Sequence, residues 1–143
     1  MEDNFDEDAW MVMEQEAQYG DGKPRPLRQR TKEFALRIIR LYAALPGTTE
    51  AQVIGRQALR SGTSVGAHFR EGLRARSEAE IISKLQTALQ ELDETDYWLE
   101  LLADSDIVPA DRLTSLRDET NQLLAILTTC AKRIKARKSR PKD

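Results

Sequence analysis

Downstream of Ser77, the positions Ile81, Leu85, Ala88, Leu92, Thr95, Leu99 and Leu102 recur at alternating spacings of four and three. That rhythm puts them on one stripe of an α-helix, the seam of a helix packed nearly parallel or antiparallel to its neighbours. Ser77-Glu78-Ala79-Glu80 reads as a capping box. The Ser77 hydroxyl accepts from the Glu80 amide, and the Glu80 carboxylate reaches back to Ser77. The pattern predicts a helix from Ser77 to about Ala103.

Three further helices follow from the same reading. Phe34, Ile38, Leu41 and Leu45 form the stripe of a first helix that starts near Thr31 and is broken by Pro46-Gly47. Thr49-Glu50-Ala51-Gln52 reads as a second capping box, opening a helix to about Ala75 with Ile54, Ala58, Val65, Phe69 and Leu73 on its core face. Gly55, Gly62 and Gly66 lie along one flank of that helix. Each costs roughly 1 kcal/mol relative to Ala in a helix interior, so three on one edge point to close helix approach. After a turn from Asp104 to Val108, Pro109 suits the first position of a fourth helix, whose stripe is Leu113, Leu116, Thr120, Leu123, Leu127 and Ile134. Strand-period alternation is absent. The expected fold is all-α, an up-down-up-down four-helix bundle.

The bundle is expected over residues 31–135, between an acidic segment (1–30) and a basic tail (136–143), both read as disordered. Residues 1–22 hold eight acids and no Lys or Arg, whereas residues 131–143 hold seven Lys and Arg against Asp143. Inside the acidic segment, Ala9-Trp10-Met11-Val12-Met13 is an apolar island: a docking motif, a short helix against the bundle, or a casual local contact.

Charged residues make up 32% and hydrophobic ones 40% of the 143, ordinary proportions for a soluble helical protein. No run approaches the length of a membrane span, and the acidic start lacks the pattern of a signal peptide. A lone Cys130 excludes an intramolecular disulfide, so a reducing, cytoplasmic setting is expected.

Little material for catalysis is present. One His and one Cys cannot build a zinc site or a nucleophile–base pair, and there is no P-loop or dinucleotide fingerprint. His68 reads as a boundary side chain and Cys130 as a small hydrophobe beside the fourth stripe. One metal reading remains: Glu91 and Glu94 facing Asp118 and Glu119 resemble an incomplete form of the Mg²⁺ site of all-α nucleotide pyrophosphatases. The expectation is no enzyme, no catalytic residue, no cofactor and no metal.

Two features point instead to surfaces. Arg56, Arg60, Arg70 and Arg74 project within about 80° of one another on the second helix, at 100° per residue, and Arg76 extends the stripe. With Lys132, Arg133, Lys135, Arg137 and Lys138 they form a candidate phosphate-backbone track, for which Arg is well shaped. The bland alternative is a solvated face making salt bridges to the acidic third helix. The second feature is a pair of off-core apolar patches: Leu36, Ile39 and Ala43 on the first helix, and Tyr97, Trp98 and Leu101 on the third. They are candidate self-association surfaces.

The run Arg60-Ser61-Gly62-Thr63-Ser64-Val65-Gly66-Ala67, with Glu71, Ser77, Lys84, Ala88, Glu91, Glu94-Thr95 and Tyr97-Trp98-Leu99, resembles the 23S rRNA intervening-sequence protein family. The resemblance covers roughly Thr31 to Lys135. One position departs, since the family usually has Asn where this chain has His68. The family is one of small four-helix bundles related to the accessory variability determinant proteins of diversity-generating retroelements. It implies a homo-oligomer, a pentameric ring, with RNA or DNA and a reverse transcriptase as candidate partners and no membrane. A purely structural scaffold is the second reading.

Overall fold

Pro26 opens the first helix. Its carbonyl accepts from the amides of Gln29 and Arg30 at 3.0 and 2.9 Å, so α1 runs Leu27–Ala44 and begins four residues before the expected start. Thr31 does not cap; its hydroxyl donates one turn back to the Leu27 carbonyl (2.9 Å) and is buried. Helices α2 (Thr49–Leu73), α3 (Glu78–Asp104) and α4 (Ala110–Lys138) follow. The computed structural model describes residues 25–138, with side chains through residue 136. The expectations for residues 1–24 and 139–143, the Trp10 island included, lie outside the described residues.

The two capping boxes fare differently. Ser77 is the N-cap of α3 and its Oγ accepts from the Glu80 amide at 3.1 Å, as the motif requires. The Glu80 carboxylate, however, accepts from the Arg76 amide rather than that of Ser77. At α2 the box does not form: Thr48 occupies the cap position without a side-chain bond, and Thr49 is already helical. Gln52 is diverted, accepting from the Tyr42 hydroxyl (2.8 Å) and donating to the Pro46 carbonyl (2.9 Å). It thereby staples the α1–α2 turn.

Helix α3 ends in a Schellman motif. The Ile107 amide donates to the Leu102 carbonyl and the Asp106 amide to that of Ala103, both at 3.1 Å. Asp106 supplies the left-handed residue (φ 59°) that glycine more often provides. Pro109 lies just ahead of α4, one place earlier than expected, and its carbonyl accepts from Arg112.

The expected stripes make the core. Phe34, Ile38, Leu41, Leu92, Leu99, Leu102, Leu113, Leu116, Leu123 and Leu127 are all fully or almost fully buried. A fully buried Leu, Ile or Phe side chain contributes on the order of 1.5–3 kcal/mol, so this seam dominates folding. Each helix packs antiparallel on the next, α2 on α3 most extensively, while α1 and α4 meet along the sparsest seam. The glycine edge of α2 permits close approach to α1: a Cβ on Gly62 would lie 2.7 Å from Ile38 Cγ1. This is the all-α up-down-up-down four-helix bundle the hydrophobic pattern predicts. Among the described residues no helix is long and apolar enough to cross a membrane.

One core expectation is overturned. Leu73 is 60% exposed. It lies on the same edge of α2 as Gly62 and Gly66, the edge that faces α1. Gly66 already meets Thr31, near the start of α1, so Leu73 projects past the end of the helix that would have covered it.

Candidate functional site

The arginines of α2 divide. Arg60 bonds Glu91 (3.3 Å) and Glu94 (2.5 Å) across the α2–α3 groove, and the Glu94 hydrogen bond raises its pKa above the ordinary guanidinium value. This position behaves as the salt-bridge alternative expects. Arg56, Arg74 and Arg76 are exposed and Arg70 half-buried, and none of the four forms a side-chain ion pair with a described residue. Arg70 and Arg74 line a cleft with Ala67, Glu71, Glu80 and Lys84, between the end of α2 and the start of α3. There Lys84 bonds Glu71 at 2.8 Å. That bond depresses the Glu71 pKa and raises that of Lys84. His68 Nδ1 stands 3.6 Å from Glu71, beyond a good hydrogen bond, so His68 is a boundary side chain.

The antiparallel order gathers further charge at the same end of the bundle. Lys132, Arg133 and Lys135 are exposed on the last turns of α4, which continues helical through Arg137 and Lys138 instead of ending near residue 135. Exposed Arg28 joins them from α1. The opposite end carries exposed Glu50, Asp104, Asp106 and Asp111. The bundle is therefore electrically polarised along its axis. A cluster of cations on one face or end is the electrostatic footprint of polyanion binding.

The carboxylates of the Mg²⁺ reading are not brought together. Glu91 and Glu94 are held by Arg60, whereas Glu119 is paired with Arg30 of α1 and Asp118 accepts from Gln122 on its own helix. Among the described residues no three His, Cys, Asp or Glu side chains are placed to hold a metal ion. Cys130 is half-buried against the core, a small hydrophobe at its margin.

Both apolar patches face outward. On α1, Leu36, Ile39 (45% exposed) and Ala43 line the side opposite the core. On α3, Tyr97 is 53% exposed, with Trp98 and Leu101 half-buried beside it; the Tyr97 and Trp98 rings lie 5.0 Å apart at 59°. Sequence reasoning missed one member. Arg60–Glu94 and Ser61–Thr95 set an antiparallel register that brings Val53, 54% exposed, level with Leu101. Val53 stands seven residues before Arg60, on the same edge of α2, and that spacing was the available signal.

Residues 26–129 match the model of the 23S rRNA-intervening sequence protein family. No curated protein matches the chain. Among solved structures, the bundle is similar to a Bacteroides thetaiotaomicron protein of unknown function from the S23 ribosomal protein family. The two are 37% identical with a TM-score of 0.71, over 75% of this chain and 99% of that one. The four-helix bundle and the family model together place this chain in the 23S rRNA-intervening sequence protein family.

Proposed function

We propose that the protein is a non-enzymatic, cytoplasmic helical bundle that self-associates and offers a basic surface to RNA or DNA. The observation that carries this reading is the division among the α2 arginines. Arg60 is consumed by Glu91 and Glu94, while exposed Arg56, Arg74 and Arg76 and half-buried Arg70 have no carboxylate partner among the described residues. A face built only to be solvated gains nothing from choosing Arg repeatedly, whereas a phosphate backbone gains bidentate contacts. Self-association is supported by the outward patches on α1 and α3. Different faces in contact make a heterologous interface, which closes into a ring when its rotation allows; the family resemblance implies a ring of five subunits. A reverse transcriptase, which the family resemblance implies, is the candidate protein partner.

The test is binding of a short RNA duplex and a single strand at several salt concentrations. Phosphate contacts predict a linear loss of log affinity with log salt. Replacing Arg70, Arg74 and Arg76 with Gln should shallow that slope by about two to three without changing helicity, since each lost phosphate contact removes roughly 0.7–0.9. Negligible binding by the parent at low salt would leave the purely structural scaffold, the reading that the Arg60 bridge favours.

A further inference from the structure

Helix α1 has 18 residues, against 25, 27 and 29 in α2, α3 and α4. Against α4 the deficit falls at the basic end, whereas α2 passes the first residue of α1 there by only about one turn. Thr31 lies against Gly66, and Arg30 bonds Glu119 and Gln122, so α1 stops one turn beyond these contacts. From the same level α4 runs on to Lys138, about 20 Å past the first residue of α1 at 1.5 Å per residue. One corner at this end therefore has walls, α2 and α4, but no described helix in it.

The walls have a definite character. Leu73, 60% exposed, continues the edge of α2 that elsewhere meets α1. On α4, Ser115, Glu119 and Gln122 form the edge that meets α1, and exposed Arg133 continues it at the same helical angle. Arg70, Arg74 and Arg76 neighbour Leu73 along the chain, the first two reaching toward the α3 side, and neither these three nor Arg133 has an ion-pair partner among the described residues. The corner is an apolar spot rimmed by guanidinium groups.

The chain that leads into α1 enters at this corner, and its composition is the complement. Asp6-Glu7-Asp8, then Ala9-Trp10-Met11-Val12-Met13, then Glu14 and Glu16 read acidic, apolar, acidic. The fifteen residue steps from Trp10 to Arg25 span up to about 50 Å when extended, ample to reach any part of the corner. We propose that residues 6–16 dock here. The Trp10 island lies on Leu73, and the flanking carboxylates pair with Arg70, Arg74, Arg76 and Arg133. Occupied in this way, the α2 arginines are withheld from an outside polyanion. The docking does not depend on the nucleic-acid reading; only this competition does.

Trp10 reports directly, because Trp98 is the only other tryptophan and Trp98→Phe leaves Trp10 alone. In the full-length Trp98→Phe protein, without nucleic acid, Trp10 emission should be blue-shifted and its acrylamide quenching several-fold slower than in urea. Adding Leu73→Asp, or Arg70→Glu with Arg133→Glu, should return both to the urea values. The melting temperature should change little, since all three positions lie outside the core. Raised salt should act as the Arg variants do. An urea-like signal in the parent, or one that ignores both sets of substitutions, overturns the proposal. A blue shift that grows with protein concentration overturns it too, by placing the segment on a second copy.

Discussion

Ser61 of α2 and Thr95 of α3 share a 2.8 Å hydrogen bond between their hydroxyls, inside a core that leaves both side chains fully buried. Thr95 also bonds the Glu91 carbonyl at 2.7 Å, so its proton is committed there and Ser61 donates to it. The pair is a polar pin in an apolar seam, and it fixes the α2–α3 register that aligns Arg60 with Glu94 and Glu71 with Lys84.

Thr95→Val should therefore cost about 1–3 kcal/mol, because the Ser61 hydroxyl is left with a single long bond, to the Ala58 carbonyl at 3.4 Å. The double variant Ser61→Ala, Thr95→Val should lose less than the sum of the single changes. Urea unfolding of the four proteins checks this, and strict additivity would show that the hydroxyls do not act together.

Two glycines of the same helix should respond with opposite sign. Ala at Gly62 gains about 1 kcal/mol of helix propensity but drives a methyl to 2.7 Å from Ile38 Cγ1, a clash that overpacking data put at about 1–3 kcal/mol. Ala at Gly72 meets Lys84 Cβ at an ordinary 3.5 Å. Thermal unfolding should fall for Gly62→Ala and rise by a few degrees for Gly72→Ala, a gain of about 0.5–1 kcal/mol.

The Lys84 bond lowers the Glu71 pKa, chiefly by hydrogen bonding. A depressed carboxylate stabilises the folded state above its unfolded pKa, and that stabilisation fades as pH falls through the lowered folded value. Glu71→Gln should therefore destabilise at pH 7 and converge with the parent as pH falls through the lowered carboxylate range. Melting temperatures across that range check it; a constant offset would show that the ion pair is not responsible.

Leu36→Lys with Ile39→Lys, and separately Trp98→Glu, should each give a smaller and still helical species. Light scattering and circular dichroism at micromolar concentration measure both properties. A monomeric parent would remove the self-association reading.

What was legible in the sequence was whatever depends on one helix at a time. Leu85, Leu92, Leu99 and Leu102 repeat in a rhythm that any α-helix turns into a stripe, and Ser77 caps from three residues away. What depends on two elements was hidden. Gln52 left the expected box because Tyr42 and Pro46 offered it better partners across a turn. Leu73 lost its cover because α1 is short at the matching end, a length set by Pro26. The pairing of Glu119 with Arg30, and the fate of the four carboxylates, required knowing which helices touch. The division among the α2 arginines had the same cause, since Glu91 and Glu94 reach Arg60 but not its neighbours.

The sparse seam between α1 and α4 has a consequence for how the chain reaches and leaves its native state. The extensive helix contacts all join elements adjacent along the chain, whose closure needs only a short loop, so three antiparallel hairpins can zip in succession. Joining Arg30 to Glu119 must close a loop of 89 residues for a few polar contacts. That step should come late in folding, and its reversal early in unfolding. The amides of α1 should then exchange with solvent deuterium ahead of those in α2 and α3, through openings that leave the rest of the bundle assembled.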